Sequence, residues 1–314
     1  MKHIVLLAVA VGLVWMTGCG VTPIEYDDTM LDGPVVQDTS FTDSTFLLST
    51  HPDRDTFDRE RPVIICAHGY TACTYEWQEF REFARNDGRI YTSLVLLGGH
   101  GRSIEEFDGT TWEDWQKPIM DEYDSLVNQG YTRIGLAGSS TGGTLLIEYL
   151  SRGAFNDKEV IPQEIFMVDP IVIPTAKILK LVSVLGPILG NSPVELETDE
   201  QKRHWYTNRP TSTLDELNEL IELVQGKLED GFSLPKGAKA KCYKAEKDDL
   251  ADPVSALLIY KGMTDADKNK IDVEMMDTDL HVFTHLESRT ETSHADTLLQ
   301  VRVFEEMIER MVEH

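Results

Sequence analysis

Cysteine is scarce in this chain. Four occur among 314 residues, and Cys19, Cys66, Cys73 and Cys242 have neither the spacing of a metal site nor the density of a disulfide scaffold. Basic side chains are also in short supply, with 29 lysines and arginines against 54 aspartates and glutamates and a net charge of −25. That balance argues against nucleic-acid binding and against electrostatic docking on anionic lipid, because both need a basic face. Long apolar runs are missing too. The near-unbroken run Ile4–Met16 spans 13 residues, where a membrane-crossing helix needs roughly 20. No internal repeat is present, so a solenoid or propeller is not indicated.

The short run instead suits the core of a secretory leader, with Met1-Lys2-His3 as its basic start. It ends in Met16-Thr17-Gly18-Cys19, which resembles a bacterial lipoprotein processing site. On that reading residues 1–18 are removed and Cys19 becomes the lipidated first residue. An ordinary export signal or a buried N-terminal helix is the plainer alternative. Gly20 stands where an acidic residue would mark retention in the inner membrane, so the outer membrane is the implied destination. Residues 19–44, rich in Asp, Thr, Pro and Gly, read as a tether. The remainder, 45–314, is long enough for one α/β domain with an ample core. Removing Cys19 from the thiol count leaves three, an odd number, and a Cys66–Cys73 bridge is left open.

Within that domain strands and helices alternate. Short apolar runs at 62–67, 91–97, 134–137, 164–168, 239–245 and 271–276 suit buried parallel strands. Helical spacing appears at 76–85, 112–129 and 143–151. The pattern implies a mostly parallel sheet with helices on both faces. The stretch 170–234 breaks the rhythm with the apolar segment Ile171–Leu189 and an amphipathic helix at Leu214–Leu228. It is far longer than a connection needs and is expected to form an inserted cap. In a cap, the Ile171–Leu189 segment would wall an acyl chain; as plain core it would not.

Gly138-Ser139-Ser140-Thr141-Gly142 is a G-x-S-x-G pentapeptide entered from a strand and left by a helix. By chance a chain this long carries such a pentapeptide about one time in ten, so the strand–turn–helix context gives the match its weight. It makes Ser140, central between the glycines, the candidate nucleophile. A nucleophilic serine requires a base, an acid to orient that base, and donors for an oxyanion. His68-Gly69-Tyr70 follows the first apolar strand, so the backbone N–H groups of Tyr70 and Thr141 are the expected oxyanion donors, and His68 is read as a brace. Asp248 comes first in the turn after 239–245 and is the candidate acid. Asp249 and Asp252 read as a solvated neighbour and a helix cap. For the base, His281 is preferred over His294 and His285. The order Ser140, Asp248, His281 is that of the α/β-hydrolase fold. His281 and His285 could pair on a helix face, but no third ligand or HExxH pattern supports a metal.

From about Val63 onward the chain resembles the bacterial carboxylesterases and monoacylglycerol lipases of the α/β-hydrolase superfamily. The resemblance rests on His68-Gly69-Tyr70-Thr71, on Gly99-His100-Gly101 with Trp112-Glu113-Asp114-Trp115, and on the elbow Gly138–Gly143. It extends to Lys247-Asp248 with Asp252-Pro253 and Ser255-Ala256, and to His281-Val282-Phe283-Thr284. It implies an α/β-hydrolase fold with a cap, a small ester or lipid as substrate, acyl transfer through Ser140, and no cofactor. Two departures stand out. Leu280 replaces the small glycine that usually precedes the histidine, and the cap shows little similarity. The family's members are often cytoplasmic, whereas the leader here implies export, membrane attachment through the N-terminal lipid, and external lipids or esters as substrates.

Overall fold

The structure, a computed structural model, describes residues 41, 43–52, 58–175, 191–194 and 196–313. The leader, Cys19 and nearly all of the expected tether lie outside the described residues, as do residues 176–190 of the apolar cap segment.

The first half of the domain runs β1 (Val63–Ala67), a 3₁₀ turn (Thr74–Trp77), α1 (Gln78–Asp87), β2 (Tyr91–Val95), α2 (Ile104–Asp108), α3 (Trp112–Asn128), β3 (Ile134–Ser139), α4 (Thr141–Ser151) and β4 (Glu164–Val168). The expected cap stretch contributes β5 (Asn191–Pro193), α5 (Asp199–His204), β6 (Asn208–Pro210) and α6 (Thr211–Asp230). Then come β7 (Phe232–Ser233), β8 (Lys239–Ala245), α7 (Val254–Gly262), β9 (Met263–Thr264), β10 (Asp272–Met276) and α8 (His294–Val312).

Six strands form the central sheet in the order β10-β8-β4-β3-β1-β2, every neighbouring pair parallel. All five residues of β1 are buried, as a strand covered on both faces requires. Val63 and Ile65 pack with α3, α4 and α6 on one side, through Trp115, Ile119, Leu145 and Leu220. Ile64 and Cys66 alternate to the other side, where Phe80 of α1 meets Phe304, Met307 and Ile308 of α8. The order reverses between β3 and β1, and the crevice beyond the strands' C-terminal ends at such a reversal is where open α/β sheets bind ligands.

Local chemistry fixes several helix starts. Thr111 and Asp114 form a capping box at α3, and Ser293 and Asp296 form another at α8. In the cap stretch β5 and β6 pair antiparallel, and α6 lies over α4. Cys66, Cys73 and Cys242 are buried free thiols. Burial pushes all three well above the ordinary thiol range, which suits packing rather than reactivity.

Candidate active site

Ser140 sits between the last residue of β3 and the first of α4, with φ 47° and ψ −117°. A non-glycine residue holds this conformation only when its surroundings dictate it. Two neighbours do so here. A side chain at Gly138 would stand 2.6 Å from the backbone of Gly142, and one at Gly142 would stand 2.3 Å from the Ala67 carbonyl oxygen. The two glycines therefore let β1, β3 and α4 close on one another. The Ser140 N–H donates to Val168 O at 2.9 Å, which locks the turn to β4.

The three candidate triad residues meet at this turn. His281 Nε2 lies 2.9 Å from Ser140 Oγ, and His281 Nδ1 lies 2.7 Å from Asp248 Oδ2. An ionised carboxylate only accepts, so Nδ1 carries the proton and Nε2 is left to accept from the serine hydroxyl. The other Asp248 oxygen accepts from the N–H groups of Leu250 and Ala251 at 2.8 and 3.0 Å. Burial alone would push the Asp248 carboxyl up. The charges and hydrogen bonds of His281 and Lys244 outweigh it and hold the carboxyl well below the usual carboxylate range.

The competing residues lie elsewhere or are engaged. His294 is exposed at the start of α8. His285 is turned to Ser288 Oγ at 2.6 Å, and burial drives it well below an ordinary histidine. His68 Nδ1 is 2.8 Å from Gly69 O, and its Nε2 accepts from the Leu97 N–H at 3.0 Å, so it braces the loop after β1. Asp252 accepts from the Val254 N–H at the start of α7, and Asp249 is exposed.

The turn after β1 lies against the nucleophile, since a side chain on Gly69 would be 3.1 Å from Ser140 Cβ. Its next residue, Tyr70, lines the same cleft as Ser140 and Thr141, and Thr141 is the first residue of α4, whose opening N–H groups have no intrahelical acceptor. The Tyr70 hydroxyl is 2.6 Å from Thr213 Oγ1, an anchor between this turn and α6 that the sequence does not announce.

Four further side chains escape a reading of the sequence. Glu76 is buried and takes the Gly69 N–H at 2.8 Å and the Ser139 hydroxyl on the same oxygen, although burial itself pushes its carboxyl up. Asp169, directly after β4, accepts from the amides of Ala245 and Val282 at 2.7 and 2.9 Å. Lys244 Nζ bridges Asp169 Oδ1 and Asp248 Oδ2 at 2.9 and 2.5 Å. Arg289 donates to the carbonyls of His281 and Val282. The only hint in the sequence is at Asp169, a carboxylate just past a buried strand, the same signal that picks out Asp248. The Leu280 departure is also resolved: the left-handed residue is Val282, at φ 57°, pinned by Asp169 and Arg289.

A cleft of about 630 Å³ opens over Ser140 and His281. Tyr70, Ile171, Trp205, Leu214, Leu217 and Leu250 give it apolar walls, and Glu76, Arg209 and Arg289 add polar groups. Oxygen and nitrogen atoms of Asp169, Asp248 and His281 lie within 4.8 Å of one another, close enough to hold a cation. The Lys244 ammonium already stands between the two carboxylates.

No family model matches the chain. A carboxylesterase of Bacillus subtilis (strain 168) is 26% identical over 251 residues, covering 78% of this chain and 94% of that protein. A thermostable monoacylglycerol lipase of Bacillus sp. (strain H-257) is 26% identical over 206 residues, 65% of this chain and 78% of that protein. Among solved structures, a soluble variant of monoglyceride lipase from Saccharomyces cerevisiae superposes with TM-score 0.64 at 13% identity, covering 98% of this chain and 99% of that one. A structure of the metagenome-derived lipolytic enzymes LipS and LipT gives 0.63 at 17% identity, covering 81% and 95%. The chain is thus similar in sequence to carboxylesterases and monoacylglycerol lipases and has the α/β-hydrolase fold, which together support a carboxylic ester hydrolase.

Proposed function

We propose that this protein hydrolyses carboxylic esters through an acyl-enzyme on Ser140, with short- to medium-chain acyl esters or monoacylglycerols as substrates. The observation that carries the reading is the hydrogen-bonded chain Ser140–His281–Asp248 at the floor of an apolar-walled cleft.

In the first step Ser140 Oγ attacks the ester carbonyl carbon while His281 Nε2 takes its proton. Asp248 keeps the imidazole in the required tautomer and supports its positive charge. The carbonyl electrons move onto oxygen, which the Tyr70 and Thr141 amides receive. His281 then returns the proton to the departing alcohol. Water enters, His281 activates it, and the second collapse releases the acid and restores Ser140.

Two measurements test this. Wild-type protein is expected to react at Ser140 with a fluorophosphonate probe and to cleave p-nitrophenyl esters. Ser140→Ala is expected to lose both, with turnover down by at least about 10⁴-fold. A folded wild type that takes no probe would refute the reading. Acyl thioesters, amides and lysolipids in the same panel decide whether the shared triad serves another acyl group better.

We further propose that the protein is exported and held on the outer membrane through lipid at Cys19, on the strength of the Met16-Thr17-Gly18-Cys19 sequence. Metabolic labelling with palmitate tests it: incorporation should vanish in Cys19→Ala and the protein should leave the membrane fraction. Equal labelling of both forms would exclude the anchor.

A further inference from the structure

Lys244 is 0% exposed, an unusual place for an ammonium group, and it sits one strand residue before the end of β8. Its Nζ meets two equally buried carboxylates, Asp169 from the end of β4 and Asp248 from the turn after β8. Asp248 Oδ2 thus receives two donors, the ammonium on one side and His281 Nδ1–H on the other. Asp169 is the tie that makes this possible. One of its oxygens holds Lys244 and the Ala245 amide, and the other holds the Val282 amide just past the histidine.

The charges have a simple sum. Two carboxylates and one ammonium leave one net negative charge beside a neutral imidazole. When His281 takes the serine proton the cluster becomes neutral. A lone carboxylate pair would instead carry two negative charges and would favour the imidazolium over the neutral base. Burial would push the Lys244 ammonium down, but Asp169 and Asp248 outweigh it and raise it, so it stays charged. Other titratable groups face this assembly. Glu76 and His285 interact with His281, Arg289 with Asp169 and Asp248, and Cys242, on β8, with Asp169 and Lys244.

We infer that Lys244 is a positioning residue for the acid–base pair: held by Asp169, its ammonium fixes Asp248 under His281 and sets the pH range in which the imidazole is free to act as base. The inference rests on the hydrolase reading and adds to it a lysine and an aspartate outside the triad.

The two partners carry opposite charges, so their removal moves the pH dependence in opposite directions. Lys244→Gln takes a cation away from the imidazolium and favours it, so the acid limb of the Ser140 labelling rate should move up by about one pH unit. Asp169→Asn takes an anion away, and the limb should move down by a similar amount. The readout is the rate of fluorophosphonate labelling between pH 4 and 9, with circular dichroism to certify each variant's fold. A purely structural role would lower the plateau and leave both limbs where they were, and that result overturns the inference. If one variant fails to fold, the sign of the shift in the other decides alone. Lys244→Arg, which keeps the charge, is the third arm and should hold the wild-type limb. Absence of labelling in the wild type at every pH would sink the hydrolase reading instead, so the two failures are distinguishable.

Discussion

Glu76 shows how much of this site is set by residues outside the triad. Its carboxylate takes the Gly69 N–H and the Ser139 hydroxyl, and so holds the turn after β1 to the end of the strand that precedes Ser140. Truncation would leave the buried Gly69 N–H without its acceptor, costing about 1–3 kcal/mol, and would leave the Ser139 hydroxyl only the Ala67 carbonyl at 3.3 Å. Glu76→Ala is therefore expected to lower kcat on a p-nitrophenyl ester by about 10- to 100-fold through a displaced oxyanion donor. KM should change little, because the ester is held mainly by the apolar walls. Glu76→Gln, which keeps an acceptor, should recover most of the loss. Equal kcat values for the Ala variant and the wild type would show that the turn holds itself. Of Glu76, Asp169, Lys244 and Arg289, only Asp169 leaves a hint in the sequence. A charged residue in an acidic chain reads as solvated until the fold shows what closes over it. Ser140, Asp248 and His281 were legible because each stands at a strand's C-terminal end or just beyond, where sequence order alone indicates direction.

At the level of elements, the sheet strands were readable because burial on both faces demands continuous apolar runs, and β4 and β8 occupy the residues that their runs define. Helix starts were less legible. The elbow puts Thr141 directly into α4, two residues ahead of the expected Gly143, because the strained Ser140 completes the turn within one residue. The helix α8 carries Val303, Phe304, Met307, Ile308 and Met311 at helical spacing, a pattern present in the sequence but passed over beside the histidines. The cap is where patterning alone fails, since its short β5–β6 hairpin and α5 have too few residues to show a period. One cap element invites a direct test. Gly226 lies in the interior of α6, exposed, with nothing within 4 Å of where a side chain would begin. Gly226→Ala should stabilise the protein by about 0.5–1 kcal/mol. Calorimetry should show a higher Tm with ester hydrolysis unchanged. A lower Tm would mean that α6 is not helical at that point in solution.

For the molecule as a whole, the acidic surface and the buried histidines respond to pH in opposite senses. Burial lowers His68 to about 4, with a partial offset from its bond to Gly69, and drives His100 and His285 well below 6.5. A depressed histidine in the fold means that the unfolded chain takes the proton first. Its contribution to stability is therefore complete above about pH 6.5 and is lost as pH falls toward 4. Relief of the net charge of −25 on acidification works the other way. The informative quantity is thus a difference: between pH 7 and 5, the Tm of the wild type should fall relative to that of His68→Gln, which keeps hydrogen-bonding groups but cannot titrate there. Parallel curves for the two proteins would show that His68 is not buried neutral.

The bond between the Tyr70 hydroxyl and Thr213 joins the turn after β1, which the proposed mechanism uses for an oxyanion donor, to α6, which lines the pocket through Leu214 and Leu217. On the proposed mechanism, selectivity and speed are then coupled: exchanging α6 to fit a new acyl chain would also remove the grip on that phenol, and hydrolysis should slow for reasons unrelated to fit.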